Sequence, residues 1–127
     1  MGQYLIDSNI ISGYFSSLFR EKSMNFLTDV IDMTPNISVI TEIEALSWTS
    51  PDKNKETIVQ LFIKDAHILP LSAEVVAQCV KIRRGRKIKT PDDIIAATAI
   101  TYNLTLITGD RGFAKINGLK TIYPEPV

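Results

Sequence analysis

Short apolar runs alternate with stretches whose apolar residues recur every three to four positions. Tyr4-Leu5-Ile6 reads as a strand that ends at Asp7. Ile10, Ile11, Tyr14, Phe15, Leu18 and Phe19 then form a wide helical stripe. The spacing predicts a second helix over Ser23 to Asp32, a turn at Pro35-Asn36, and a strand over Ile37 to Ile40. Thr41 with Glu44 three residues later has the pattern of a helix capping box. Ser50-Pro51-Asp52 opens a further helix through Ile58, Leu61 and Phe62, and Ile68-Leu69 with Leu71 reads as a strand. Ser72 is placed to cap a helix carrying Val75, Val76, Cys79 and Val80 that stops near Gly85. Thr90-Pro91-Asp92-Asp93 combines a cap residue, an early proline and two acids at the positive end of a helix dipole. The helix that follows, Ile94 to Tyr102, is apolar on nearly all sides and should be central. Leu104 to Ile107 is a strand ending in Thr108-Gly109-Asp110, and Thr121 to Tyr123 an edge strand. Strands separated by helices imply parallel pairing in an α/β sandwich. In such a sheet, ligands bind beyond the carboxyl ends of the strands.

Composition narrows the chemistry. A length of 127 residues suits one domain, expected here over 1–127. A single cysteine, Cys79, permits no intrachain disulfide. With His67 as the only histidine, neither a four-ligand Cys/His zinc site nor a HExxH helix can be built. Catalysis would have to rest on carboxylates. No apolar run approaches the ~18 residues of a membrane span. The expected compartment is the cytoplasm, with no signal peptide visible. Met1-Gly2 opens like a myristoylation site, but Ile6 stands where Ser or Thr is required.

Three acids fall at the edge where a parallel sheet places its ligand: Asp7 after the first strand, Glu44 after the second, and Asp110 after the strand ending at Ile107. Asp92 and Asp93, at a helix start, can add a fourth. Each also has a plain structural role: Asp7 as a cap, Glu44 as half a capping box, Asp92 and Asp93 as dipole partners, Asp110 as a turn residue. Converging carboxylates repel one another unless a cation joins them, and all-oxygen ligation selects Mg²⁺ or Mn²⁺. One or two such ions suit hydrolysis of a phosphate ester. Spacing alone does not decide between Glu42 and Glu44, or between Asp92 and Asp93.

Four segments, in order, resemble the PIN domain, and in particular the VapC-like ribonuclease toxins of bacterial toxin–antitoxin pairs. They are Tyr4-Leu-Ile-Asp-Ser-Asn-Ile-Ile11, Ile37-Ser-Val-Ile-Thr-Glu-Ile-Glu-Ala-Leu46, Thr90-Pro-Asp-Asp-Ile-Ile-Ala-Ala-Thr-Ala99 and Leu104-Thr-Leu-Ile-Thr-Gly-Asp-Arg-Gly-Phe113. The resemblance implies a three-layer sandwich around a mostly parallel sheet. It maps the acidic positions to Asp7, Glu44, Asp92 and Asp110, as catalytic and metal-holding residues. Ser8, Asn9 and Thr108 stand where the family places polar residues around the acids. Asp93 fills a place often held by a small residue. The implied activity is Mg²⁺- or Mn²⁺-dependent cleavage of RNA, with an antitoxin partner and frequent homodimerisation.

The net charge is zero, from 14 basic and 14 acidic residues, so no general attraction to nucleic acid is expected. The charges are segregated, however. Lys81 to Lys89 holds six cations, and no acid lies between Glu74 and Asp92. Cations suit a helix C-terminus, but six exceed that need. Arg83, Arg84, Arg86, Lys87 and Lys89 are therefore candidates for the RNA backbone. Ile11, Tyr14, Phe15 and Leu18 are candidates for the antitoxin surface. Trp48, His67 and Cys79 read as structural. A non-catalytic module of the same fold, binding a cation or a partner's arginine at the acids, is the alternative. A haloacid dehalogenase-type phosphatase would need an Asp where Asn9 stands, and a phosphoryl-accepting receiver would need adjacent acids and a late lysine that are missing.

Overall fold

A computed structural model describes residues 3–87 and 89–127. Met1 and Gly2, read above for a lipidation pattern, and Ile88 of the basic run lie outside the described residues. The elements are β1 (Tyr4–Ile6), α1 (Ser8–Phe15), α2 (Glu21–Asp32), β2 (Asn36–Ser38), α3 (Val39–Leu46), α4 (Lys53–Asp65), β3 (His67–Leu69), α5 (Ala73–Gly85), α6 (Thr90–Thr101), β4 (Thr105–Ile107) and β5 (Lys120–Ile122), with a 3₁₀ turn at Arg111–Lys115.

The five strands pair in the order β3-β2-β1-β4-β5, every pair parallel. Successive side chains of a strand face opposite ways, so apolar neighbours feed two separate cores. Leu5 and Leu106 pack with Val75, Ile82, Ile95, Ala96 and Phe113 beneath α5 and α6. Ile6 and Ile107 pack with Ile10, Leu27, Ile37, Val59 and Ile63 beneath α1, α2 and α4. The result is the expected three-layer α/β sandwich. From β1 the chain builds outward through β2 and β3, then crosses back to β4 on the other side of β1. The strand order thus reverses between β1 and β4, where open sheets form a ligand crevice at their carboxyl end.

Some boundaries differ from the sequence reading. The strand read over Ile37–Ile40 stops at Ser38, because Ser38, not Thr41, caps α3 by accepting the Thr41 amide at 3.1 Å. Thr41 Oγ1 accepts the buried Ser38 hydroxyl at 3.2 Å. Glu44 is therefore in the second turn of α3 and is no capping-box partner. Thr90 is the first residue of α6, and Lys89 occupies the cap without a side-chain bond.

The long stripe from Ile10 to Phe19 also breaks. α1 ends at Phe15, Ser17 adopts φ 54, and the Leu18 amide returns to the Gly13 carbonyl at 2.9 Å. This left-handed turn folds Phe19 back over α1. A Cβ on Gly13 would lie 2.8 Å from the Phe19 ring, so the close approach needs glycine there. Phe19 bridges to Pro126, and hydrogen bonds from Arg20 to Glu125 and from Val127 to Leu18 tie down the C-terminal residues.

Candidate active site

Four acids reach the carboxyl end of the sheet from four elements. Asp7 follows β1, Asp110 follows β4, Glu44 stands on α3 and Asp92 in the first turn of α6. The structure brings all four predicted acids into one electrostatic neighbourhood. Asp7 is the most enclosed, at 4% exposure. Its Oδ1 accepts the Ser8 amide at 2.8 Å, so it does cap α1. The structural and chemical readings of Asp7 therefore coexist. Its Oδ2 accepts the Thr108 hydroxyl at 2.7 Å and the Asn9 amide group at 3.3 Å.

The polar residues singled out with the acids tie these elements together. Asn9 Oδ1 accepts the Gly109 amide at 3.0 Å, bridging α1 to the loop after β4. Thr108 Oγ1, while donating to Asp7, accepts the Asp110 amide at 3.1 Å. Ser8 Oγ donates to Glu44 Oε1 at 3.1 Å across 36 residues of sequence. Asp110 Oδ1 accepts the Gly112 amide at 2.8 Å and starts the 3₁₀ turn.

Burial raises the Asp7 carboxyl above its ordinary value, and the charges of Glu44 and Asp110 push it further. Thr108 and Ser8 oppose the rise by hydrogen-bonding the ionised form. Asp92 is also raised, first by burial and then by Asp110 and Asp7, with Lys89 pulling the other way. These are oxygen donors alone, in mutual repulsion, a set that fits a hard divalent cation in kind. Among the described residues, no three acids stand close enough to enclose an ion as they lie.

The flanks of the site differ. On one side a cleft of about 410 Å³ is lined by Arg86, Lys87, Lys89 and Lys115 together with Asp92 and Asp110. Three of the five cations proposed from the sequence thus stand beside the acids. Arg84 is exposed and does not line that cleft, and Arg83 is engaged by Asp93 and Thr90. Lys115 was missed; its only signal is its place five residues after Asp110. On the other side, Gly13, Leu18, Phe19 and Pro126 line a hollow of about 390 Å³ that reaches Asn9 and Asp110. Of the residues offered as a partner surface, Ile11 is core at 1% exposure. Tyr14 is bonded to Thr28 at 2.6 Å, and Phe15 packs edge-on against Tyr14 and Phe62. Only Leu18 of that group is exposed. Within the chain, then, Ile11 is packed into the core, Tyr14 and Phe15 stay half-buried, and Leu18 is exposed.

The PIN domain family model matches residues 4–119. The chain belongs to the PIN domain family. No curated protein matches it. Among solved structures, this PIN domain is similar to VapBC2 from Rickettsia felis bound to a DNA fragment from its promoter, with a TM-score of 0.77 and 23% identity over 96% of this chain and 98% of that one. A toxin–antitoxin complex from Klebsiella pneumoniae matches with a TM-score of 0.73 and 26% identity over 98% and 99% of the two chains. DNA-bound VapBC from Salmonella typhimurium gives 0.74 and 21% over 97% and 98%. The resemblance carried by the four sequence segments therefore holds for the family, and its structural neighbours are toxin–antitoxin proteins. No helix among the described residues of this PIN domain is long and apolar enough to cross a membrane.

Proposed function

We propose that this PIN domain, taken over its whole length, is a metal-dependent endoribonuclease and the toxin of a toxin–antitoxin pair in the cytoplasm. The observation that carries the reading is the meeting of Asp7, Glu44, Asp92 and Asp110 at the strand-order reversal, with two of the carboxyls driven up by burial and by their neighbours' charge. Toxin–antitoxin neighbours over nearly the full chain support the partner, and a homodimer is the assembly we expect.

Asp7, Glu44, Asp92 and Asp110 would hold one or two Mg²⁺ or Mn²⁺ ions. A bound divalent cation supplies Lewis acidity at the phosphate and makes water a better nucleophile. The chain's own residues do the rest. Thr108 and Ser8 favour the ionised form of Asp7 against its burial, Asn9 helps orient it, and Ser8 draws Glu44 toward it. Arg86, Lys87, Lys89 and Lys115 bind the phosphodiester backbone, which supplies affinity without reading sequence.

Total RNA incubated with Mn²⁺ tests the proposal. The protein should cleave it, and Asp7→Asn and Asp92→Asn should not, while circular dichroism shows both folded. Undiminished cleavage by both variants would sink it. The spread of the acids favours a second reading, a non-catalytic module that binds a cation or a partner's arginine there. Tight antitoxin binding with no cleavage of any RNA would support that module, and metal-dependent turnover would remove it.

A further inference from the structure

Asp93 adjoins Asp92 but faces away from it. Its carboxyl is fully buried at 0% exposure, while Asp92 is part-buried and lines the cleft. Arg83 of α5 reaches Asp93: Nη1 donates to Oδ2 at 2.8 Å. The same nitrogen donates to Thr90 Oγ1 at 2.8 Å. One guanidinium thus holds the first and fourth residues of α6. It also joins the end of α5 to the start of α6, on either side of the connection that carries Arg86, Lys87 and Lys89.

Stability does not account for this arrangement. Arg83 is half exposed and Asp93 fully buried, so the carboxylate bears most of the desolvation cost, and attraction to a partly solvated cation at best roughly repays it. Asp93 Oδ1 has no hydrogen-bond partner among the described residues, which adds a further cost. An apolar residue at 93 would continue the packing of Ile95, Ala96 and Ala97. What the pair does supply is a single geometry. If α6 turned or slid against α5, a charge would be left buried and alone. Adjacent helical residues diverge by about 100°. Fixing the direction of Asp93 inward therefore fixes the direction of Asp92 outward.

We propose that Arg83, Asp93 and Thr90 form a positioning clamp that aims Asp92 into the cleft and holds Arg86, Lys87 and Lys89 beside it. Its catalytic consequence rests on the nuclease reading; its mechanical part does not. None of the three touches the reacting atoms.

The test compares wild type, Asp93→Asn and the double variant Arg83→Met with Asp93→Leu. The double variant removes both charges and keeps the volume; the single one keeps shape and a hydrogen-bond acceptor. Hydrogen exchange over residues 84–93, Mn²⁺ affinity by calorimetry, melting temperature, KM and kcat are measured. The clamp predicts that the double variant melts as high as wild type or higher. Its 84–93 amides should exchange faster, its Mn²⁺ affinity should fall roughly 10-fold, and KM should rise as kcat falls. Asp93→Asn should lie between. Unchanged exchange at 84–93 with unchanged Mn²⁺ affinity in a stably folded double variant overturns the clamp. Should the double variant not fold, Asp93→Asn decides by the same readings. Should wild type neither bind Mn²⁺ nor cleave RNA, the nuclease reading fails, and hydrogen exchange alone decides the clamp.

Discussion

The two ends of the sheet both bury polar side chains, and they do so differently. At the amino end, Asn36 is 1% exposed, donates to the Tyr4 carbonyl at 3.0 Å and meets His67 Nδ1 at 3.0 Å. That network joins β1, β2 and β3 through hydrogen bonds on the Asn36 amide. At the carboxyl end, Asp7 is nearly as deeply placed, yet burial first, and then Glu44 and Asp110, work against its charge. A buried amide with its partners in place specifies a structure. A carboxylate whose charge is opposed first by burial and then by its neighbours carries a cost that a cation, a proton or a partner's positive charge can relieve. The difference separates a hydrogen-bonded structural network from the acidic cluster proposed as the site of chemistry.

Breaking each end in turn should therefore give opposite results. Asp7→Asn should lower metal-dependent RNA cleavage by roughly 100-fold or more with the fold intact, as read by gel assay and circular dichroism. Asn36→Ala should cost about 2 kcal/mol in urea denaturation while the surviving folded protein cleaves at the wild-type rate. A large loss of cleavage in that variant would mean the two ends are coupled. Lys115→Ala, in the cleft, should weaken RNA binding several-fold and reduce the salt dependence by about one phosphate contact, measured by anisotropy at several salt concentrations.

The smallest effect tests the cost of holding a charge there, set by burial and then by the neighbouring acids. Asp92 has a folded-state pKa raised above its unfolded value, so the folded protein binds that proton more tightly. The cost of its charge is fully present above the folded pKa and is relieved as pH falls through it. Without metal, Asp92→Asn should raise the melting temperature by a few degrees at neutral pH. The gap should close on acidification through the raised pKa, and saturating Mn²⁺ should reverse it. A clear fall in the metal-free melting temperature would make Asp92 mainly a helix-start residue.

Much of the candidate site was legible in the chain. Asp7 and Asp110 directly follow or closely trail apolar runs, and in a parallel sheet such positions share one edge. Asp92 stands after a proline at a helix start, a strong local signal that survived with a one-residue shift of the cap. Glu44 does stand on α3 within hydrogen-bond reach of Ser8, but not as the capping-box partner expected of it. Ser38 and Thr41 are both competent caps, and only the pairing of β2 with β1 and β3 ends the strand at Ser38. For the wide stripe of α1, periodicity reports burial without saying what covers the residue. A turn at Ser17, the fold-back of Phe19 and the packing of Phe15 on Phe62 cover part of it from within the chain and leave Leu18 exposed.

The sequence by itself determined the alternation of strands and helices, the acids at the strand ends and the segregation of charge behind a net balance of zero. Those follow from periodicity, capping chemistry and order along the chain, which are local. Only the tertiary structure decided that β1 and β4 are neighbours, that Arg86, Lys87 and Lys89 share a cleft with Lys115, and that Asp93 turns inward to Arg83 while Asp92 turns out. Those contacts join residues from separate elements, and only packing two helical layers onto one sheet brings them within reach.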